Sequence, residues 1–216
     1  MNLKTELLNC VKDLYTSGLN TAVSGNHSAR FERIWMWITP SEIPRYKIKT
    51  TDLVKINIKS KEIIGKCKPS REWVMHREIY ENTNANAIVH CHSPYTLGIS
   101  IASKFVEVIE EAKIIVGDPI IIENVPSGTA ELASSVSRCF KDNRVRAVII
   151  KNHGVVAIGK NLDEARSLLN HLKNGQRYSL CARYSMCNTC DMDHNYGCKD
   201  WRYVYNRIVK FYIAQK

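Results

Sequence analysis

The chain has 216 residues, which is enough for one domain with a substantial core and too few for two domains of ordinary size. Hydrophobic residues make up 44% and charged residues 24%, and no apolar run approaches a membrane span in length, so nothing indicates a membrane protein. The net charge of +10 comes from scattered lysines and arginines without a nucleic-acid-binding motif, which favours a solubilising surface or a small anionic substrate over nucleic acid.

The first part of the chain predicts a helix, several short strands and a second helix. The first helix covers residues 2–17 and ends at Gly18; it is amphipathic and unlike a signal peptide, so we expect a cytoplasmic location. A turn at 24–28, strands at 29–31 and 34–38, a proline loop at 39–44 and a hairpin of 53–58 with 62–64 follow. The second helix runs over 69–82 with Ser70 as its N-cap.

The second part alternates apolar strands with helices. The predicted elements are a strand at 86–92, a helix at 94–103, two strand-like runs within 114–125, a helix at 128–141, strands at 145–151 and 155–158, and a long helix from 162. Strands of hairpin and crossover type together predict an α/β fold, in which helices cover both faces of a mixed sheet.

A pair of histidines in the strand at 86–92 points to a metal site. Side chains alternate along a strand, so His90 and His92 lie on the same face. His153 ends a second apolar strand, and Glu72 lies near the start of a predicted helix. Three histidines and a carboxylate are typical of a catalytic zinc-type site, whereas structural sites tend to use cysteine.

The same residues allow two simpler interpretations. His90 and His92 could be half-buried side chains bonded to the backbone, and residues 152–154 (NHG) could form only a turn, because Asn and Gly suit positive φ. Both candidates stand at strand ends, however, and ligands of α/β folds gather there. The metal interpretation is therefore preferred.

Five motifs, in order along the chain, resemble the class II aldolase/adducin family. They are residues 24–30 (SGNHSAR), 38–41 (ITPS), 69–73 (PSREW), 89–93 (VHCHS) and 152–157 (NHGVVA). The resemblance implies a three-layer α/β/α domain, a divalent metal that is usually zinc, and a homotetramer with active sites between subunits. It matches His90, His92 and His153 to metal ligands, and Glu72 to an acid that ligates the metal and takes a proton during turnover.

The resemblance also implies a phosphate site, from which this sequence departs twice. Gly25, Asn26, Ser41 and Ser70, with backbone donors at the helix start, could cradle a phosphate. The family loop commonly has glycine where this chain has Glu42, and a second serine where it has Arg71. Arg71 could pair with Glu42 or bind the phosphate in place of the lost hydroxyl, and we favour the second role.

Three further positions bear on the site. Fuculose-type aldolases have a tyrosine that acts across the subunit interface, and the corresponding stretch here, 106–116, contains none. The proton donor for the leaving group therefore stays open. His76 lies one turn after Glu72 and could support it, but a solvated or partly buried position is the expectation; His27 is expected in a surface loop.

Four of the eight cysteines are dispersed in the body of the chain, and four cluster near its end. The dispersed cysteines suit small core residues in a reducing compartment. Cys187, Cys190, His194 and Cys198 have the ligand types of a small structural metal site, with a disulfide-bonded or reduced tail as alternatives. We therefore divide the chain into an aldolase-like domain, 1–180, and a Cys-rich extension, 181–216, packed on the same domain.

The leading hypothesis is a metal-dependent aldehyde-lyase that cleaves a ketose 1-phosphate to dihydroxyacetone phosphate and an aldehyde. A metal would polarise the ketose carbonyl, and a carboxylate beside it would move the proton. The enzymatic alternatives are a pentulose-phosphate 4-epimerase and a methylthioribulose-1-phosphate dehydratase. An adducin-like interaction protein is the non-catalytic alternative, but a scaffold does not need Glu72 and all three histidines.

Overall fold

The computed structural model describes residues 2–101 and 110–185, with the backbone alone at 101, 112 and 178–185. The helices in these ranges are α1 (Leu3–Thr16), α2 (Trp73–Asn82), α3 (Pro94–Ile101), α4 (Glu110–Val116), α5 (Ala130–Cys139) and α6 (Leu162–Ser185). The strands are β1 (Asn26–Phe31), β2 (Trp35–Ile38), β3 (Val54–Asn57), β4 (Ile63–Ile64), β5 (Ala87–Cys91), β6 (Ile120–Ile122), β7 (Ala147–Ile150) and β8 (Gly154–Gly159).

The described strands form one mixed sheet in the order β4-β3-β2-β1-β5-β8-β7-β6. Neighbouring strands pair antiparallel, except for the parallel pair of β6 and β7 at one edge. Helices pack on both faces, so the predicted α/β/α arrangement around a mixed sheet is confirmed.

Each face of the sheet carries its own apolar core. On the first face α1 and α6 cover Val89 and Cys91 of β5, and on the second face α2 and α5 cover Ile88. Because side chains alternate along a strand, His90 shares the second face with Ile88 and so lies on the side of α2. β5, paired with β1 on one side and β8 on the other, is thereby the strand that positions the site.

β1 begins earlier than the sequence predicted. Residues 26–28 belong to the strand rather than to a turn, and all three are buried. Asn26 pairs with His90 across the β1–β5 ladder, and Ser28 pairs with Ile38 on the other side. Buried polar partners on α2 stabilise these polar residues in a strand, an environment that local propensity does not reveal.

α2 begins later than predicted, and Ser70 is not its N-cap. The Ser70 N–H donates to the Thr39 carbonyl, and Pro40 and Pro69 form an isolated β-bridge, so the chain stays extended through this stretch. Glu72 is the N-cap residue instead, although its side chain makes no capping hydrogen bond. The carboxylate of Glu72 is thus held at the helix start and is free to face the site.

The first of the two strand-like runs in 114–125 is helical. Residues 114–116 form the end of α4, and only the second run forms a strand, β6. Ile114 is 75% exposed while Val116 is buried, although the two would lie on the same face of a strand. A short apolar run does not by itself distinguish a strand from a helix, which is why the sequence predicted a strand here. Gly117, at φ +71°, ends the helix.

The described cysteines, Cys10, Cys67, Cys91 and Cys139, are free thiols, and Cys10 and Cys91 are buried as small core residues. No helix in residues 2–101 and 110–185 has the length and apolar character needed to cross a membrane. Residues 187–198, with the candidate ligands Cys187, Cys190, His194 and Cys198, lie outside the described residues. The second metal site and the division at residue 180 therefore stay predictions.

Candidate metal and catalytic site

Three imidazoles converge where β5 ends and β7 turns into β8. His90 is fully buried in β5, and His92 follows one residue after the strand. The ring centroids of His90 and His92 lie 5.0 Å apart, and that of His153 lies 5.0 Å and 5.4 Å from them. One nitrogen of each ring lies within 4.8 Å of the other two, so the three side chains could hold one metal ion.

The turn at 152–154 delivers His153 to this cluster. Asn152 adopts φ +56°, and the His153 N–H closes the turn on the Ile150 carbonyl. At Gly154, a Cβ atom would lie 2.6 Å from Cε1 of His90 and 3.0 Å from Cδ2 of His92. The stretch is therefore a turn, as the simpler interpretation held, and its glycine is also what lets the histidine rings approach.

The carboxylate of Glu72 completes the cluster. Its Oε2 lies 3.2 Å from Nε2 of His90, and its Oε1 lies 3.1 Å from Nε2 of His153. Glu72 is 4% exposed, so the carboxylate is almost fully withdrawn from water. The structure thus brings together all four residues that the sequence analysis singled out for the metal.

The hydrogen bond on the far side of His90 fixes which nitrogen faces the site. Nδ1 lies 3.1 Å from the Val155 carbonyl, which can only accept, so Nδ1 carries the proton and Nε2 carries the lone pair. That lone pair faces Oε2 of Glu72 and Nε2 of His92, the latter at 3.2 Å. The lone pair of His90 Nε2 and the carboxylate oxygen of Glu72 thus face each other, an arrangement that a divalent cation between them would stabilise.

The electrostatics of the cluster also suit a cation. Burial lowers the pKa of His90 and His92 from 6.5 to about 4 and about 3, so at neutral pH both are the uncharged imidazoles that bind metals. Burial alone would raise the pKa of Glu72, but His90, His153 and Asn26 outweigh it and hold that pKa well below its ordinary range. The negatively charged carboxylate of Glu72 therefore faces the uncharged imidazole of His90.

Two further side chains hold the Glu72 carboxylate. The Asn26 amide donates to Oε2 at 2.8 Å, and the Ser127 hydroxyl donates to Oε1 at 2.9 Å. The sequence motifs predicted a phosphate-binding role for Asn26 and gave no indication of a role for Ser127. Ser127 lies in the loop between β6 and α5, where nothing local distinguishes it from an ordinary loop serine.

The expectations for His76 and His27 were wrong, because both are fully buried. His76 faces Asn26 and Ser28, with 2.6 Å to each, and burial lowers its pKa to about 4. His27 lies in β1, where its Nε2 accepts from the Asn20 amide at 3.1 Å, and burial lowers its pKa well below 6.5. For His76, the spacing of one helical turn from Glu72 was the feature of the sequence that indicated a position near the site.

The candidate phosphate-binding residues border the site, but several of their hydrogen-bond donors are already bonded within the protein. The stretches of Ser41 and Ser70 lie side by side, since the Ser41 N–H donates to Lys68 and the Ser70 N–H to Thr39. The backbone N–H groups of Ser70, Glu72 and Trp73 are therefore already bonded, contrary to the expectation that they are free. The hydroxyl hydrogen of Ser70 is still available to a ligand, because it has no acceptor within the described part of the chain.

The two departures from the family pattern do not neutralise each other directly. Arg71 and Glu42 are both exposed, and among the residues described they form no ion pair. Glu42 adopts φ +66°, so the loop keeps the left-handed conformation that favours glycine although a glutamate stands there. The Arg71 guanidinium is thus available to an anion. Gly25, at φ +73°, also adopts the left-handed conformation, and a Cβ atom there would lie 2.2 Å from Oδ1 of Asn20, so a residue with a side chain does not fit at this position.

Comparison with known proteins agrees with this geometry. The model of the class II aldolase and adducin N-terminal domain matches residues 5–178. L-fuculose phosphate aldolase of Methanococcus maripaludis S2 is 32% identical over 163 residues, covering 74% of this chain and 87% of that protein. The Haemophilus influenzae protein of the same name is 29% identical over 90% of this chain and 95% of its own length. The crystal structure of L-fuculose-1-phosphate aldolase from Thermus thermophilus superimposes with a TM-score of 0.78 at 26% identity, over 88% of this chain and 98% of that one.

Replacing Gly154 with alanine should damage the candidate metal site more than the fold. The new Cβ would lie 2.6 Å from Cε1 of His90 and 2.7 Å from the Cys91 carbonyl, so the His90 ring must shift. If His90 binds a metal, displacing its ring in this way is expected to weaken the affinity for added zinc by about 10- to 100-fold, measured by competition with a chromogenic chelator.

The matched control is Gly159→Ala at the other end of β8. There the Cβ would lie 2.7 Å from the Ala165 backbone nitrogen, far from the histidines. This variant should lose thermal stability while keeping its zinc affinity. Equal zinc affinities for Gly154→Ala and the unmodified protein would contradict the proposed role of this turn.

The free energy of unfolding of the metal-free protein should fall as pH drops from 6.5 towards 4. His76, His90 and His92 have folded-state pKa values of about 4, 4 and 3, against 6.5 for the ordinary side chain. In this window the unfolded chain binds protons that the folded chain does not, which favours unfolding by up to about 1.4 kcal/mol per pH unit for each histidine. Urea titrations at stepped pH measure the slope.

The variant His76→Gln removes one of these groups, so its slope should be shallower by about one proton. A free energy of unfolding that is independent of pH between 6.5 and 4.5 would show that the histidines are not held neutral in the folded chain.

Proposed function

Because the chain belongs to the class II aldolase and adducin family, we propose that it is a class II aldolase acting on a ketose 1-phosphate of the L-fuculose 1-phosphate type. The products are dihydroxyacetone phosphate and an aldehyde. The observation that carries this proposal is the buried Glu72 carboxylate in contact with His90 and His153, because a carboxylate in that position could move a proton beside a bound metal ion.

In this proposal Glu72, His90, His92 and His153 hold a divalent ion. The donor set of imidazole nitrogen and carboxylate oxygen favours zinc. When bound, the ion polarises the ketose carbonyl and stabilises the negative charge that develops as the carbon–carbon bond breaks.

Glu72 has the task of moving protons. In the cleavage direction one proton leaves the hydroxyl whose oxygen becomes the aldehyde carbonyl, and one proton is delivered to the carbon that becomes the hydroxymethyl group of dihydroxyacetone phosphate. A carboxylate that shuttles one proton between these positions balances the reaction. Asn26 and Ser127 orient it, and its burial keeps bulk water away from the reacting atoms.

Arg71 and the Ser70 hydroxyl take the phosphate, with Ser41 and the backbone of Gly25 and Asn26 at the border of the site. The support is that Arg71 is exposed beside Ser70 and that Glu42 does not pair with it. A guanidinium binds a phosphate through two parallel hydrogen bonds, which compensates for the serine that the family commonly has there.

The proposal also includes a homotetramer with active sites between subunits and a cytoplasmic location. The first rests on membership of the family, and the second on the composition. Among the enzymatic alternatives, the relatives above favour the aldolase over an epimerase or a dehydratase, since both sequence relatives carry the name L-fuculose phosphate aldolase. The buried Glu72 beside three histidines argues against an adducin-like protein without catalysis.

Zinc-loaded protein should release dihydroxyacetone phosphate from L-fuculose 1-phosphate, measured through its enzymatic reduction. Glu72→Gln keeps the size of the side chain but removes the proton acceptor, so kcat should fall by about 10²- to 10⁴-fold. Glu78→Gln, on the same helix and outside the cluster, is the matched control and should keep kcat. Near-normal turnover in Glu72→Gln would exclude it as the acid/base. Turnover of a pentulose 5-phosphate or methylthioribulose 1-phosphate instead would favour the alternatives.

If Arg71 contacts the substrate phosphate, Arg71→Ala should raise KM for the phosphorylated ketose by about 10- to 100-fold and weaken inhibition by inorganic phosphate. Glu42→Gly removes a carboxylate near the anion and suits the backbone there, so it should lower KM. Arg138→Ala, an exposed arginine on α5, should change neither. An unchanged KM in Arg71→Ala would remove Arg71 from the phosphate site.

A further inference from the structure

A chain of hydrogen bonds leads from the Glu72 carboxylate into the core. The Asn26 amide nitrogen lies 2.8 Å from Oε2 of Glu72, and Oδ1 of Asn26 lies 2.6 Å from Nε2 of His76. Nδ1 of His76 lies 2.6 Å from Oγ of Ser28, which lies 2.9 Å from the Tyr80 hydroxyl. The four residues beyond Glu72 are at most 6% exposed, so bulk water does not compete for these bonds.

The direction of every bond in this chain follows from its first acceptor. A carboxylate only accepts, so Asn26 must present its NH₂ group to Glu72 and its carbonyl oxygen to His76. His76 must then donate from Nε2, which leaves Nδ1 as an acceptor for the Ser28 hydroxyl. Ser28 has given its only proton, so the Tyr80 hydroxyl donates to it.

Two elements supply these side chains at matching intervals. Glu72, His76 and Tyr80 are spaced by four along α2, which puts them on one face of the helix. Asn26 and Ser28 are spaced by two along β1, which puts them on one face of the strand. The hydrogen bonds alternate between side chains of the helix and side chains of the strand, so they fix the position of α2 along β1.

We propose that His76 is a positioning residue of the active site, whose Nε2–H keeps the Asn26 amide turned with its NH₂ group towards Glu72. The two ends of an amide have nearly the same shape, so packing alone does not distinguish them. If the amide turned over, its oxygen would face the carboxylate, and Glu72 would lose a donor and gain a repulsion. This inference rests on the proposed function for its effect on turnover.

Two variants separate hydrogen bonding by His76 from its packing. In His76→Gln the side-chain amide nitrogen takes the place of Nε2 and can still donate to Asn26. In His76→Asn the shorter side chain reaches only the place of Nδ1, so the donor to Asn26 is lost. Both variants remove the imidazole ring, and thermal unfolding measures what each loses in stability.

For His76→Asn we expect kcat to fall by roughly 10- to 100-fold with little change in KM, because Glu72 is oriented less well while the phosphate contacts are intact. His76→Gln should restore most of kcat. If His76 only stabilised the fold, kcat would follow the loss of stability in both variants, and equal kcat values for Gln and Asn would overturn the proposal.

A second measurement does not depend on the substrate. In protein labelled with nitrogen-15 at histidine, two-bond correlations at pH 7.5 report which ring nitrogen carries the proton, and His76→Gln identifies the His76 signal by its loss. We expect a protonated Nε2 and an unprotonated Nδ1. The opposite tautomer would overturn the inference.

The inference about His76 and the proposed function can fail independently of each other. Absence of aldolase activity in the unmodified protein, with every ketose phosphate, would refute the proposed function. The tautomer of His76 would still decide whether the hydrogen-bond chain fixes the Asn26 amide.

Discussion

The buried carboxylate of Glu72 is the constraint around which this structure is arranged. A charge withdrawn from water costs several kcal/mol unless donors or ions replace the lost hydration. Here Asn26 of β1 and Ser127 of the loop before α5 donate hydrogen bonds to the carboxylate. His90 of β5 and His153 of the turn between β7 and β8 place ring nitrogens beside it, where a cation bound between these groups would offset the remaining cost. The cost of burying this one group is met only when all four segments are in place, so the site and the fold are specified together.

The register of the central strands is what makes this convergence possible. Asn26 of β1 faces His90 of β5 across the ladder, and Val156 of β8 faces His90 on the other side. A slip of one residue would turn the imidazole to the opposite face of the sheet, where the apolar core of α1 and α6 lies. Gly154 contributes to the same end, because a larger residue would force the His90 ring away from the cluster.

Periodicity and motif spacing were sufficient to predict the parts of the fold and site that depend on local pattern. The alternation of β5 puts His90 and His92 on one face, and the apolar runs predict β7, β8 and the helix layers. Partners distant in sequence decide the rest. Asn26 and Ser28 were predicted as turn residues because their buried partner, His76, lies on another element of the chain. Ser127 could not be predicted, because its only distinguishing feature is the hydrogen bond that it donates to Glu72 in the folded protein.

The position of β5 between β1 and β8 has a consequence for synthesis of the chain. β1 to β4 and β5 emerge early, whereas Val89 must wait for its partner Ala157 until most of the chain has been made. During that interval the outer edge of β5 presents unpaired backbone groups and an apolar surface on both faces, which is a template for strand addition by another molecule. A nascent or truncated chain that ends before β8 is therefore a candidate for aggregation and for chaperone binding, although the finished sheet buries the same edge completely.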